Sequence, residues 1–287
     1  MANLKNIRSQ IKSVTSIQKV TKAMKMVAAA KLRKSQENME KGRPYSNRIK
    51  DLISNLVKDV DSSLLPLLNK PKTTTKYGLI VITADRGLAG SFNSNIIKKT
   101  ENIINTVGKE NTVLFCIGKK GFEYFSKRNF DIEKYYEDLW VDLNYNKAIN
   151  IGQSIVEYFL NNKVDQVDVI YNYFKNAGSQ EVLTNQILPI EFEKEKEQSL
   201  ITDIIYEPSK IEIVKSLVPK YFNTQIWQFL LESFASEQAA RMLSMENATE
   251  NAKEMIDELN LEFNKARQTA ITTEMLEIVG GAEALSN

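Results

Sequence analysis

The sequence predicts a mixed α/β fold with a long helix at each end of the chain, the two paired antiparallel around an inserted α/β domain. Three observations predict it. Both ends carry apolar residues at helical spacing over far more turns than a small domain can house. The first 36 residues are basic and hold no acid, while the last helix is rich in acids. The middle alternates short apolar runs with amphipathic stretches.

Near the N-terminus, apolar residues fall at Leu4, Ile7, Ile11, Val14, Ile17, Val20, Met24 and Val27. Steps of three and four make one narrow stripe, the pattern of a coiled-coil seam. The stripe continues through Leu32 and Met39, is interrupted at Gly42 and Pro44, and resumes at Ile49, Leu52, Ile53, Leu56 and Val57. The helix is expected to end near Ser62, before Pro66. From about Ser209 to Val279 there is one proline, Pro219, and no glycine; Gly280-Gly281 is expected to end that helix. Small residues such as Ala239, Ala252 and Ala266 recur there and let two helix axes approach closely.

Length decides what these helices do. About 55 residues of helix span roughly 80 Å, and about 70 span roughly 105 Å. A compact chain of this size has a radius of gyration of only about 19 Å. The helices must project, and the economical partner for each is the other. Residues 1–62 and 209–287 are therefore expected to form the coiled coil, with residues 76–200 as an α/β foot.

Charge sharpens the picture. The net charge is +2, yet residues 1–36 hold nine Lys and Arg and no Asp or Glu, which leaves −7 for the rest. Glu237, Glu246, Glu250 and Glu254 on the last helix balance part of this. A two-helix coil still leaves much of each surface uncovered, so an acidic protein partner is expected. Nucleic acid is the alternative, but residues 1–44 contain no aromatic to interleave with the cations.

In the middle, "YGLIVITAD" (Tyr77–Asp85), "NTVLFCIGKK" (Asn111–Lys120), "VDVIYNYF" (Val167–Phe174) and "VLTNQILPI" (Val182–Ile190) read as strands. "NYNKAINIGQSIVEYFLNN" (Asn144–Asn162) reads as a helix, and the first two strands each lead into one. That is the grammar of a Rossmann-like, mainly parallel sheet. "EFEKEKEQS" (Glu191–Ser199) reads as a solvated loop. The loop "TADRGLAGSFN" (Thr83–Asn93) sits where such folds hold phosphate, but G-x-x-G is neither fingerprint of nucleotide binding, and a tight turn explains both glycines. An α/β enzyme using this loop is the second alternative.

Composition narrows the chemistry. The chain has no histidine, which removes the commonest general base and all His metal sites. Its one cysteine, Cys116, lies in an apolar run and reads as a buried small hydrophobe. No run of about 18 apolar residues exists to span a membrane. The basic, acid-poor start has the look of a transit peptide, yet its helical pattern runs on unbroken, so a structural helix is expected.

Three stretches resemble the gamma subunits of F-type ATP synthases, the central rotor shafts. They are "IRSQIKSVTSIQKVTKAMKMVAAAKLRKSQ" (Ile7–Gln36), "DRGLAGSFNSNI" (Asp85–Ile96) and "SEQAARMLSMENATENAKEMIDELNLEFNKARQTAITTEMLEIVGGAEAL" (Ser236–Leu285). Ala89 and Ser91 stand where many members read Cys and Gly, and Thr273 where some have Gln. The resemblance implies a non-catalytic subunit without cofactor or metal. It implies that the coil enters a hexagonal ring of alternating alpha and beta subunits, whose acidic beta loops meet the basic face. By motif match, Lys22, Met24, Lys25 and Arg241 would lie at that contact. The C-terminal tip, with Ile271, Met275, Ile278 and Val279, would sit in an apolar bearing. Tyr206 and Glu207 would lie near the c-ring of a proton-translocating complex, beside the epsilon subunit. The resemblance places the chain at the cytoplasmic face of a bacterial plasma membrane.

Overall fold

In the computed structural model, the described residues are 2–57, 65–69, 71, 73–176, 178–192, 207 and 209–286. The elements run α1 (Ala2–Val57), β1 (Tyr77–Ile82), α2 (Phe92–Val107), β2 (Thr112–Ile117), α3 (Lys119–Ser126), β3 (Ile132–Tyr136), α4 (Tyr145–Leu160), β4 (Gln166–Asn176), β5 (Ser179–Leu188) and α5 (Lys210–Ser286). They fall into two compact units. One holds residues 1–28 and 242–287; the other holds residues 29–241.

In the second unit the sheet order is β3-β2-β1-β4-β5. β1 pairs parallel with β2 and β4, β2 pairs parallel with β3, and only β5 is antiparallel, on β4. This is the expected mainly parallel sheet. Strands covered on both faces must be apolar throughout, which is why β1 and β2 read as unbroken runs. Side-chain alternation then divides them. Leu79, Val81, Leu114 and Cys116 pack under α2 and α3 with Ile96 and Phe125. Ile80, Ile82, Phe115 and Ile117 pack on the other face with Ile151 and Ile155 of α4 and Phe222 and Leu230 of α5. Ile49, Ile53 and Leu56 of α1 join that second core. Cys116 is fully buried, and burial pushes its thiol up to about 12, so it behaves as the small hydrophobe expected.

The sequence reading did not anticipate β3. Its residues, Ile132 to Tyr136, include Glu133 and Lys134, and an edge strand with one wet face carries little apolar signal. Tyr135 holds it down, stacked on Phe122 of α3 at 4.2 Å.

One expected end is absent: α5 continues through Gly280-Gly281. α1 runs through Gly42 and Pro44, where the stripe but not the helix was expected to be interrupted. Proline removes one N–H from the ladder and glycine is a poor helix former, so these positions weaken the helices locally without ending them. Strong helix formers on both sides carry the backbone on. The expected end at Ser62 and the loop Glu191–Ser199 from residue 193 on lie outside the described residues, as does Tyr206.

The seam of α1 is a strict heptad. Residues 4, 7, 11, 14, 18, 21, 25 and 28 are buried or half-buried in the first unit, and 32, 35, 39, 42, 46, 49, 53 and 56 in the second. From Val14 this departs from the apolar stripe read in the sequence. Ile17, Val20 and Val27 are more than half exposed, while Gln18, Thr21 and Lys25 take the seam positions. The geometry of α5 decides the outcome, because its Glu246 and Thr249 supply polar partners that a purely apolar count overlooks.

Candidate interaction surfaces of the coil

The first unit is an antiparallel helix pair. Thr249 Oγ1 donates to Thr21 Oγ1 at 2.8 Å, and Lys25 Nζ donates to Glu246 Oε1. A step forward in α1 is thus a step back in α5. Around this polar rung lies an open cleft of about 460 Å³ lined by Lys19, Lys22, Lys25, Glu246 and Glu250. Lys22 is exposed, and Met24 and Lys25 are half-buried. Of the three predicted residues of α1, Lys22 and Lys25 come together at this cleft, while Met24, on another face of the helix, is not among its lining residues. Ile17, Val20, Met26 and Val27, none of them singled out by the sequence for outward display, add an exposed apolar surface among the cations. The signal that could have found them is the mismatch between the apolar stripe and a strict three-four heptad.

The tip follows from the register. Ala270 is the last half-buried residue of α5, and every residue from Ile271 to Ala282 is exposed. Continued from Thr21 and Thr249 at equal rise, the start of α1 is reached at about residue 268 of α5, so the final turns have no α1 beside them. Ile271, Met275, Ile278 and Val279 stand 47%, 62%, 66% and 62% exposed, with Leu276 among them at 68%. A single helix end with so much apolar surface is built for cover from elsewhere.

Arg241 lies in the other unit and is drawn inward. It donates to Glu237 Oε1 at 2.5 Å and to the Gly87 carbonyl at 3.2 Å. The loop Thr83–Asn93 is itself fixed by protein partners. Asp85 Oδ1 accepts from the Lys119 amide at 2.9 Å, Asn93 Oδ1 accepts from the Ala84 amide at 2.9 Å, and Trp140 Nε1 donates to Thr83 O at 3.0 Å. Gly90 turns the chain at φ 55°, and at Gly118 (φ 92°) a Cβ would stand 2.0 Å from the Thr83 carbonyl, so both glycines serve the close loop packing. Burial pushes the Glu237 carboxyl above the usual carboxylate range, with Asp85 adding to the effect and Arg241 opposing it. Its Oε2 has no hydrogen-bond partner among the described residues. The sequence reading named Glu237 only as one of several acids; its i, i+4 spacing to Arg241 was the available sign.

Glu207 is exposed. Among the described residues, no helix is long and apolar enough to cross a membrane, and no group of three or more acid or cysteine side chains is placed to hold a metal ion.

Fold and surfaces define a class: terminal helices paired antiparallel, an α/β domain inserted between them in the chain, and an exposed apolar helix tip. Comparison with known proteins gives the family. A family model described as ATP synthase matches residues 3–285. Gamma chains of ATP synthase from Prosthecochloris aestuarii and Chlorobium luteolum are 46% and 44% identical, over 99% and 100% of both chains. The central stalk and c-ring structure of the Tetrahymena thermophila mitochondrial ATP synthase contains a chain with 28% identity and a TM-score of 0.61, covering 80% of this chain and 99% of that one. A chain of the Euglena gracilis mitochondrial ATP synthase shares the fold at a TM-score of 0.68 and 18% identity, over 99% of this chain and 95% of that one. The chain belongs to the ATP synthase gamma-chain family.

Proposed function

We propose that the chain is the central-stalk rotor subunit of a proton-translocating F-type ATP synthase. It transmits torque between the membrane c-ring and the catalytic ring of alpha and beta subunits, coupling proton flow to ATP synthesis or hydrolysis. It contributes no catalytic residue and needs no cofactor. The observation that carries this reading is the outward display of apolar and basic side chains on a coil whose own seam turns polar at Gln18, Thr21 and Lys25. Such a coil is incomplete as a free surface and suits a sheath of foreign, acid-lined subunits.

In this reading, residues 1–62 and 209–287 are the arms and 76–200 the foot. Lys22, Met24, Lys25 and Arg241 lie toward the beta subunits, with Arg241 acting from its place beside Glu237 and the Gly87 carbonyl. Ile271, Met275, Ile278 and Val279 form the bearing tip. Tyr206 and Glu207 face the c-ring and epsilon. The complex holds the chain peripherally, at the cytoplasmic face of a bacterial plasma membrane. As the coil turns, each catalytic site meets a different face of it. That differential contact shifts the site's conformational equilibrium and so its nucleotide affinity.

Met24→Lys tests the assignment. The substitution replaces a half-buried apolar side chain with a long cation, one position before Lys25 in the basic helix. Proton-driven ATP synthesis in the reconstituted complex should fall several-fold while the chain's circular dichroism and melting are unchanged. Unchanged synthesis would remove Met24 from the contact.

A further inference from the structure

A cavity of about 250 Å³ opens in the second unit between α1, α4 and α5. None of the surfaces discussed above includes it. Gly42 lines it from α1, and a Cβ at Gly42 would project into empty space. Trp227 and Tyr145 form an aromatic wall, their rings edge to face at 6.0 Å. Ser46 and Thr224, both buried, present hydroxyls at its lining. Arg43 stands exposed at its rim.

We propose that this cavity binds a small aromatic carboxylate, the ring held by Trp227 and Tyr145 and the carboxylate by Arg43. Size supports a single ring. Benzene fills an engineered cavity of about 150 Å³, and the remaining space here fits one polar substituent. The lining is mainly apolar, which suits a ring, and the Ser46 hydroxyl is one of its few polar groups. Ser46 Oγ donates to Gln228 Oε1 at 3.3 Å, which leaves its lone pairs to accept from the ligand or from water. A guanidinium recognises a carboxylate through two parallel hydrogen bonds. The nearest buried acid does not oppose this. Burial pushes the Glu232 carboxyl above its usual range, toward the neutral form, while hydrogen bonds with Gln228 and Tyr171 and the charge of Arg43 pull against that shift. A bound ring would also bridge three helices and stiffen the unit.

The test uses the full 287-residue chain and 4-fluorobenzoate, followed by fluorine NMR line broadening. Broadening should titrate with a dissociation constant of about 1 mM or tighter. A Cβ at Gly42 meets nothing within 4 Å and a helix-interior glycine is lost, so Gly42→Leu should fold with an unchanged or raised melting temperature and bind at least about tenfold more weakly. Arg43→Gln should weaken 4-fluorobenzoate about tenfold and leave the neutral 4-fluorobenzyl alcohol unaffected. In a Trp140→Phe background, Trp227 is the remaining tryptophan and its fluorescence should change along the same titration. No broadening up to about 10 mM, or equal binding by Gly42→Leu, overturns the site. Equal affinity for the alcohol and the benzoate overturns the carboxylate.

Discussion

The two halves of the α1 seam obey the same heptad and differ in what fills it. In the first unit the positions after Val14 hold Gln18, Thr21, Lys25 and Ala28, and four apolar neighbours, Ile17, Val20, Met26 and Val27, face out. In the second unit they end in Ile49, Ile53 and Leu56, all buried in the main core. The second half gains its stability from burial against the α/β domain. The first half buries Ile7, Ala28, Met245 and Ala252 but interrupts its seam with Gln18, Thr21 and Lys25, so helix propensity and polar rungs carry a larger share of its stability. A helix pair with a dry seam needs no sheath; one with a wet seam and an apolar exterior is suited to having one.

The largest effect that could break this comparison lies where α5 passes through the second unit. Arg241→Ala leaves Glu237 with a carboxylate almost fully buried and without its ion-pair partner, at a cost of about 3 kcal/mol near neutral pH. The pH dependence has a definite sign. The Glu237 carboxyl is raised in the folded chain, so its contribution to stability is fully present below the unfolded value and is lost as pH rises through the folded value. Acid should therefore soften the Arg241→Ala defect, and Glu237→Gln should flatten the decline of stability above the ordinary glutamate range. Urea denaturation between pH 4 and 8 reads both. A defect that deepens in acid would show that Glu237 is not the strained group.

Next in size is a direct contrast along α1. Ile53→Ala removes a fully buried side chain and should cost about 3 kcal/mol. Ile17→Ala removes one that is 52% exposed and should cost less than about 0.5 kcal/mol in the isolated chain. The contrast sharpens if Ile17→Ala nevertheless weakens assembly with alpha and beta subunits, measured by copurification. Equal destabilisation of the isolated chain would mean that Ile17 already has a partner within the pair.

Much of the fold was legible because its signals are strong and local. Continuous apolar runs marked β1, β2 and β4, and long helical periodicity marked α1 and α5. β3 was illegible because Glu133 and Lys134 interrupt a five-residue edge strand. At the tip, Ile271, Met275, Ile278 and Val279 are exposed, and it was the resemblance rather than their apolarity that singled them out. The face of α1 between Val14 and Val27 was misassigned for a physical reason. Apolarity identifies a buried seam only when burial is what holds the helices together. Here Thr21 and Lys25 are inside because Thr249 and Glu246 oppose them, and such pairing depends on residues more than 220 positions away.

The smallest effects test whether the polar rungs stabilise the pair or merely set its register. Lys25 and Glu246 are each more than a third exposed, so solvent screens their attraction, and Lys25→Ala should cost less than about 0.5 kcal/mol. The Thr21–Thr249 rung is more enclosed. Replacing both hydroxyls together, Thr21→Val with Thr249→Val, keeps the shape and leaves no orphaned partner, so the pair should be neutral or stabilised by about 0.5 kcal/mol. Thr21→Val alone leaves Thr249 Oγ1 its donation to the Met245 carbonyl, at 2.6 Å, and should cost little. A double-mutant cycle read by thermal melting separates the outcomes. If the double variant gains stability, the polar seam is dispensable for folding, and its retention points to alignment of the outer face. If it loses more than about 1 kcal/mol, the hydroxyl rung itself holds the coil together and the outward apolar stripe is secondary.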